Sequence, residues 1–120
     1  MALIFVGEDG ENMIGVASGA NLRLSPHYVD RLPDSLFQKG DVLLTGLEIP
    51  VETAIRAMRR AVEAGMLTIL NPAPAPALSE SGAKELLSVA TVVTPNGVEA
   101  VALAGMPSGS PAETDWKLCA

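Results

Sequence analysis

Apolar and polar positions follow two rhythms along this chain. In the first stretch, Ala2-Leu-Ile-Phe-Val6 and Asn12-Met-Ile-Gly-Val-Ala17 are short β-rich runs separated by the turn residues Gly7-Glu-Asp-Gly-Glu11. That pattern predicts a β-hairpin. Its apolar residues are nearly continuous, so both faces call for cover by a ligand, another domain or another subunit. A two-stranded ribbon alone is marginal in water. Ser18 to Asn21 reads as a loop. Ser25-Pro26 reads as an N-cap followed by proline at the first helical position, opening a short helix to about Leu32.

From Asp41 the rhythm becomes regular. Asp41 to Leu47 is a buried-strand pattern, and Pro50 leads into a helix closed at Gly65. Val51, Ala54, Ile55, Met58 and Val62 recur at helical spacing and predict its apolar face. Met66 to Leu70 is a second strand, Ser81 to Leu87 a weak helix, Ala90 to Thr94 a third strand, and Asn96 to Ala104 a third helix. Strands alternating with helices predict right-handed βαβ crossovers and a parallel sheet. The expected fold class is α/β. The expected division is a hairpin and loop over residues 1–24, an α/β core over 25–105 and a poorly ordered tail over 106–120. Trp116 is unusual in such a tail.

Composition narrows the function classes. Hydrophobic residues make up 48% of the chain but aromatics only 3%, so the core must be aliphatic, as is common where parallel strands are buried on both faces. The formal charge of -6 argues against nucleic-acid binding, which needs Lys and Arg to neutralise phosphates. Arg56, Arg59 and Arg60 form a local cluster, expected to be a solvated helix face. The single cysteine, Cys119, permits no intrachain disulfide and no metal site built on paired cysteines. No run is long enough for a membrane span, and a reduced, cytoplasmic setting is the default expectation.

Candidate chemistry lies where ligands bind in open parallel sheets, beyond the carboxyl ends of the strands. The three strands are followed there by Glu48, by Asn71 and, after Pro95, by Asn96, with Glu99 one helical turn further on. Together they suit a small polar ligand such as a Mg²⁺-bound phosphate, since Mg²⁺ takes oxygen ligands and keeps several waters. Each has a structural alternative. Asn96-Gly-Val-Glu99 is also a capping box, Asn71 before Pro72 a turn residue, and Glu48 a first-turn acid favoured by the helix dipole.

Leu43-Leu-Thr-Gly-Leu-Glu-Ile-Pro50, Leu70-Asn-Pro-Ala-Pro-Ala75 and Val93-Thr-Pro-Asn-Gly-Val-Glu-Ala100 resemble three successive segments of ribokinase-like members of the PfkB carbohydrate kinase family. The opening hairpin followed by Gly19-Ala-Asn21 resembles that family's lid. The resemblance runs in order over residues 2 to about 105. It implies part of a doubly wound, Rossmann-like sheet with an N-terminal lid hairpin. It implies that Glu48 lies near the sugar, and that Asn96 with Glu99 matches the N-x-x-E motif that arranges Mg²⁺ and the phosphoryl group of ATP. ATP and Mg²⁺ are the implied cofactors, Asn96 being assigned to the nucleotide and Glu99 to the metal. The hairpin is implied to close over the sugar and to offer a homodimer contact. Gly46 stands where ribokinases commonly have glutamine, and Gly97 where an acidic residue is frequent.

Two family signatures have no counterpart here: a glycine-rich sugar-binding segment and a D-T-x-G-A-G-D segment carrying the catalytic base and the anion hole. Asp9, Asp30, Asp34, Asp41 and Asp115 stand in no such setting. The resemblance therefore implies a central fragment of an ATP-dependent sugar kinase, with ribose the leading substrate, and a chain inactive by itself. The alternatives are a non-catalytic interaction protein that pairs through the hairpin, and a small α/β domain that binds nucleotide without catalysis.

Overall fold

A computed structural model describes residues 1–74 and 80–104. Strands β1 (Ala2–Val6) and β2 (Asn12–Val16) pair antiparallel, with Ile4 opposite Ile14 and Phe5 opposite Met13. Gly10 takes a left-handed conformation (φ 84°) in the connecting turn, where a Cβ would be strained. The hairpin is the one the sequence predicts, but every residue of both strands is exposed. Among the described residues, none covers either face.

A 3-10 turn over Gly19–Arg23 occupies most of the expected loop and leads to helix α1 (Pro26–Asp30), whose first turn is capped by Ser25 Oγ accepting from Tyr28 N. The core unit follows: β3 (Val42–Thr45), α2 (Val51–Glu63), β4 (Leu67–Leu70), α3 (Glu80–Val89), β5 (Val92–Val93) and α4 (Gly97–Leu103). The strands lie in the order β3-β4-β5 and pair parallel throughout, with Val42 beside Leu67, Leu44 beside Ile69 and Ile69 beside Val92. The fold is thus α/β, with a three-stranded parallel sheet and a separate two-stranded hairpin. The expected tail, with Trp116 and Cys119, lies outside the described residues.

The core is the aliphatic one that composition demanded. Leu47, Ala54, Met58, Leu70 and Leu86 form its buried centre, with Leu43, Ile55, Val89 and Val93 packed around them. The buried stripe of α2 is turned from its predicted position. Thr53 and Ala61 are fully buried, whereas Val62 is 48% exposed. The reason is polar: α1 packs on the Thr53–Arg60 side of α2, and carbonyls within and flanking α1 recruit that side. Thr53 Oγ1 donates to Leu24 O at 2.8 Å, and Arg60 donates to Val29 O (2.6 Å), Leu32 O (2.7 Å) and the Asp34 carboxylate (2.6 Å). The Arg60 guanidinium also lies 4.2 Å from the centre of the Phe37 ring.

The arginine cluster is therefore not simply a solvated face. Arg60 is mostly buried and caps the end of α1, Arg56 pairs with Asp30 at 2.5 Å, and Arg59 pairs with Glu85 of α3 at 2.6 Å. The hydrogen bond and then the charge of Asp30 raise Arg56 above its ordinary range.

Helix α3 runs two residues past its expected end and β5 is shorter than expected. A hydroxyl pair, buried Thr68 and exposed Thr91, joins the two elements. Thr68 Oγ1 donates to Val89 O (2.7 Å) and accepts from Thr91 N (3.0 Å), while Thr91 Oγ1 accepts from Thr68 N (3.3 Å). Thr91 N also donates to Thr68 O at 3.0 Å, so these bonds add to the backbone ladder at the start of β5 and hold the last turn of α3 against β4.

Candidate functional site

Because β3, β4 and β5 are parallel, their carboxyl ends share one edge of the sheet, and the segments after them meet there. Leu47 anchors the first of these segments. Its side chain is buried, and its N–H donates to Ala73 O at 2.9 Å, tying the β3–α2 connection to the segment after β4. Asn71 N donates to Thr45 O at 2.9 Å and extends the same ladder. A Cβ placed on Gly46 would meet only Asn71 O and Ala73 O, at 3.8 and 3.9 Å, so this position has room for a side chain and none is present.

A cavity of about 630 Å³ opens beside this edge. Ile14 and Val16 of β2 form one wall, and Ser18, Asn21 and Leu22 form the adjoining rim. Leu47 to Val51 line the sheet side, Ala73 and Pro74 line another, and Glu99 of α4 reaches it as well. The hairpin residues that line it, Ile14 and Val16, share a strand face with Ile4 by register. The other face, with Leu3, Phe5 and Met13, points away and is exposed. An apolar enclosure with a few convergent polar groups is the usual character of a small-molecule site. Here those groups are Glu48, Glu99, Asn21 and Ser18.

Two of the four sequence candidates, Glu48 and Glu99, therefore line one cavity. Glu48 is exposed and lies just beyond β3, after Gly46 and Leu47. Glu99 is 8% exposed and fully engaged. Its Oε2 accepts from Asn96 N and its Oε1 from Asn96 Nδ2, both at 2.9 Å, while Asn96 Oδ1 accepts from Glu99 N at 2.9 Å. The capping box foreseen from the spacing is thus present in full, with one bond more than the motif requires. Asn96 does not line the cavity and acts on it through Glu99; Asn71 does not line it either. Sequence reasoning missed Asn21 and Ser18, although the Gly19-Ala-Asn21 run was noted as lid-like.

Among the described residues, no three His, Cys, Asp or Glu side chains gather as a metal site would. Glu99 has each oxygen already accepting one hydrogen bond and little exposed surface. It fits an outer-shell role toward a hydrated Mg²⁺, through water, better than direct coordination. No helix among the described residues is long and apolar enough to cross a membrane.

Comparison with known proteins identifies the family. The model of the pfkB family of carbohydrate kinases matches residues 1–117. The chain belongs to the PfkB carbohydrate kinase family. The ribokinase of Haemophilus influenzae is 42% identical over 106 residues, covering 88% of this chain and 33% of that protein. The deoxyribokinase of Salmonella typhi is 36% identical over 107 residues, covering 89% of this chain and 34% of that protein. Among solved structures, Arabidopsis thaliana ribokinase complexed with ribose and ATP superposes with a TM-score of 0.63 at 23% identity, covering 98% of this chain and 38% of that one, a likeness of fold. This PfkB chain spans about a third of the length of these relatives.

Proposed function

We propose that this chain supplies the sugar-facing part of a PfkB sugar kinase: the lid hairpin, the sheet-edge pocket and the N-x-x-E element. The observation that carries the reading is the cavity itself. It lies between the lid-like strand β2 and the carboxyl edge of the sheet, and it brings Glu48 and Glu99 to one space. A pentose presents a ring of hydroxyls and small apolar C–H faces. Glu48 and Asn21 offer hydrogen-bond partners for the first, and Ile14, Val16 and Leu22 offer contact for the second.

In this reading Glu48 accepts hydrogen bonds from sugar hydroxyls and orients them. Asn96 holds Glu99 in place, and Glu99 orders water around Mg²⁺ on the nucleotide side. Mg·ATP, when bound, supplies the transferred phosphoryl group and the charge neutralisation that such transfer needs. The relatives include both a ribokinase and a deoxyribokinase, so the substrate class is a pentose, with ribose the leading choice.

No aspartate of the chain stands in the setting of the family's catalytic base, so we expect these 120 residues alone to bind without turning over. Purified chain with Mg·ATP and ribose should release no ADP above the sugar-free rate. Ribose-dependent ADP release that disappears in the Glu48→Ala/Asn96→Ala double variant would overturn this. The exposed apolar face of Leu3, Phe5 and Met13 supports a second reading, an interaction protein that pairs through the hairpin. A concentration-dependent dimer dissociated by Phe5→Ser, in a chain that binds no pentose, would favour it.

A further inference from the structure

Helix α2 turns one polar stripe toward the chain that precedes β3. Thr53, Arg56 and Arg60 stand at i, i+3 and i+7, and each donates across that contact. Arg60 donates to Val29 O and Leu32 O, Arg56 to the Asp30 carboxylate, and Thr53 Oγ1 to Leu24 O at 2.8 Å. The two arginines fasten α1 and the residues after it. Thr53 alone reaches the segment before α1, and that segment is the cavity rim, where Ser18, Asn21 and Leu22 line the space.

The Thr53–Leu24 bond has no substitute nearby. Among the described residues, every other hydrogen bond made by residues 1–24 stays within those residues. Asn21 N donates to Ser18 O and Leu24 N to Asn21 O, so the rim is bonded to itself. Apolar contact holds it weakly, since Ile14, Val16 and Leu22 are each more than half exposed. Among the described residues no backbone N–H donates to Leu24 O, so the hydroxyl of Thr53 is its donor. A helical threonine often returns its hydroxyl to the carbonyl three or four residues back. This one turns outward, although Thr53 is fully buried. It belongs to the first turn of α2, directly after the lining residues Ile49 to Val51. The bond therefore ties the rim to the opposite wall of the same cavity.

We propose that Thr53 is a positioning residue for the pentose site: its hydroxyl holds the rim, residues 18–24, against the start of α2 and so places Asn21 across from Glu48. Thr53 does not line the cavity and acts through Leu24 O. The proposal rests on the pentose reading above, and the positioning itself can be measured without sugar.

Thr53→Val keeps the side chain's shape and removes the hydroxyl. Titrated with ribose, the 120-residue chain carrying it should bind about fivefold to tenfold more weakly than the parent, the range one neutral hydrogen bond supports. Thr53→Ser, which keeps the donor, should bind within about twofold of the parent. Thr68→Val makes the same change at a buried site that does not line the cavity, and should leave the affinity unchanged. Affinity indifferent to Thr53→Val overturns the proposal. Affinity lowered equally by Thr68→Val also overturns it, because the effect is then general loss of stability. Trypsin cleavage of the sugar-free native chain after Arg23 reads the rim itself, with cleavage after exposed Lys39 as internal standard. Thr53→Val should speed cleavage after Arg23 about fivefold relative to Lys39, and Thr53→Ser should not. If the folded parent binds no ribose, the pentose reading falls and this ratio decides the positioning role; an unchanged ratio overturns it. Should Thr53→Val not fold, Thr53→Ala takes its place in both measurements.

Discussion

Substitution of Asn96 separates the parts of the Asn96–Glu99 arrangement. Asn96→Ala removes the acceptor for Glu99 N and the donor to Glu99 Oε1, both bonds of 2.9 Å. The lost N-cap costs about 1 kcal/mol. Withdrawing a donor from a carboxylate that is only 8% exposed costs about 1–2 kcal/mol more. The sum is roughly 2–3 kcal/mol on the stability of α4. Asn96→Ser keeps a capping oxygen and should recover about 1 kcal/mol of that. Asn96→Asp also keeps the cap, but sets a second carboxylate where the donor to Glu99 stood. It should be worse than serine, because two like charges meet there. Amide exchange of residues 97–103 reads these differences directly. Equal protection in Ala and Ser variants, with Asp no worse than Ser, would refute the reasoning.

Other substitutions test the framework that positions the site. Arg60→Ala should cost about 2–3 kcal/mol in urea unfolding, because it strips charged donors from Val29 O and Leu32 O; Arg60→Lys should recover less than half, since lysine has no planar fork. Met58→Ala, at a fully buried site in the centre of the core, should cost about 2–5 kcal/mol. Thr68→Val keeps the shape but leaves Val89 O without its hydroxyl donor and Thr91 N with only one of its two acceptors, Thr68 O. A loss of about 1–3 kcal/mol and faster exchange at Thr91 are expected.

Much of the architecture was legible because its determinants are local. Proline at residues 26 and 50, glycine at 65 and the alternation of apolar runs mark the elements wherever they pack. The capping box is visible for the same reason, since Asn96 and Glu99 find each other within one helical turn. What was not legible depends on partners far away in sequence. Thr53 is buried because Leu24 O needs a donor, and Arg60 is buried because α1 ends beside it; neither follows from the periodicity of α2. The Thr68–Thr91 pair joins residues 23 apart in the chain. In the candidate site, the spacing told that Glu48, Asn71 and Asn96 follow parallel strands. It did not tell that Asn71 misses the cavity, or that Asn21 reaches it from the segment after the hairpin.

The central claim is that the space between the hairpin and the sheet edge holds a pentose through Glu48. Isothermal titration of the purified chain with ribose tests it most directly, with Glu48→Ala as the comparison. That exposed substitution should leave stability within about 0.5 kcal/mol. Saturable heat with the parent chain, weakened at least tenfold by Glu48→Ala, is the predicted result. Absence of ribose binding by a folded parent chain, or binding indifferent to the loss of Glu48, would contradict the claim.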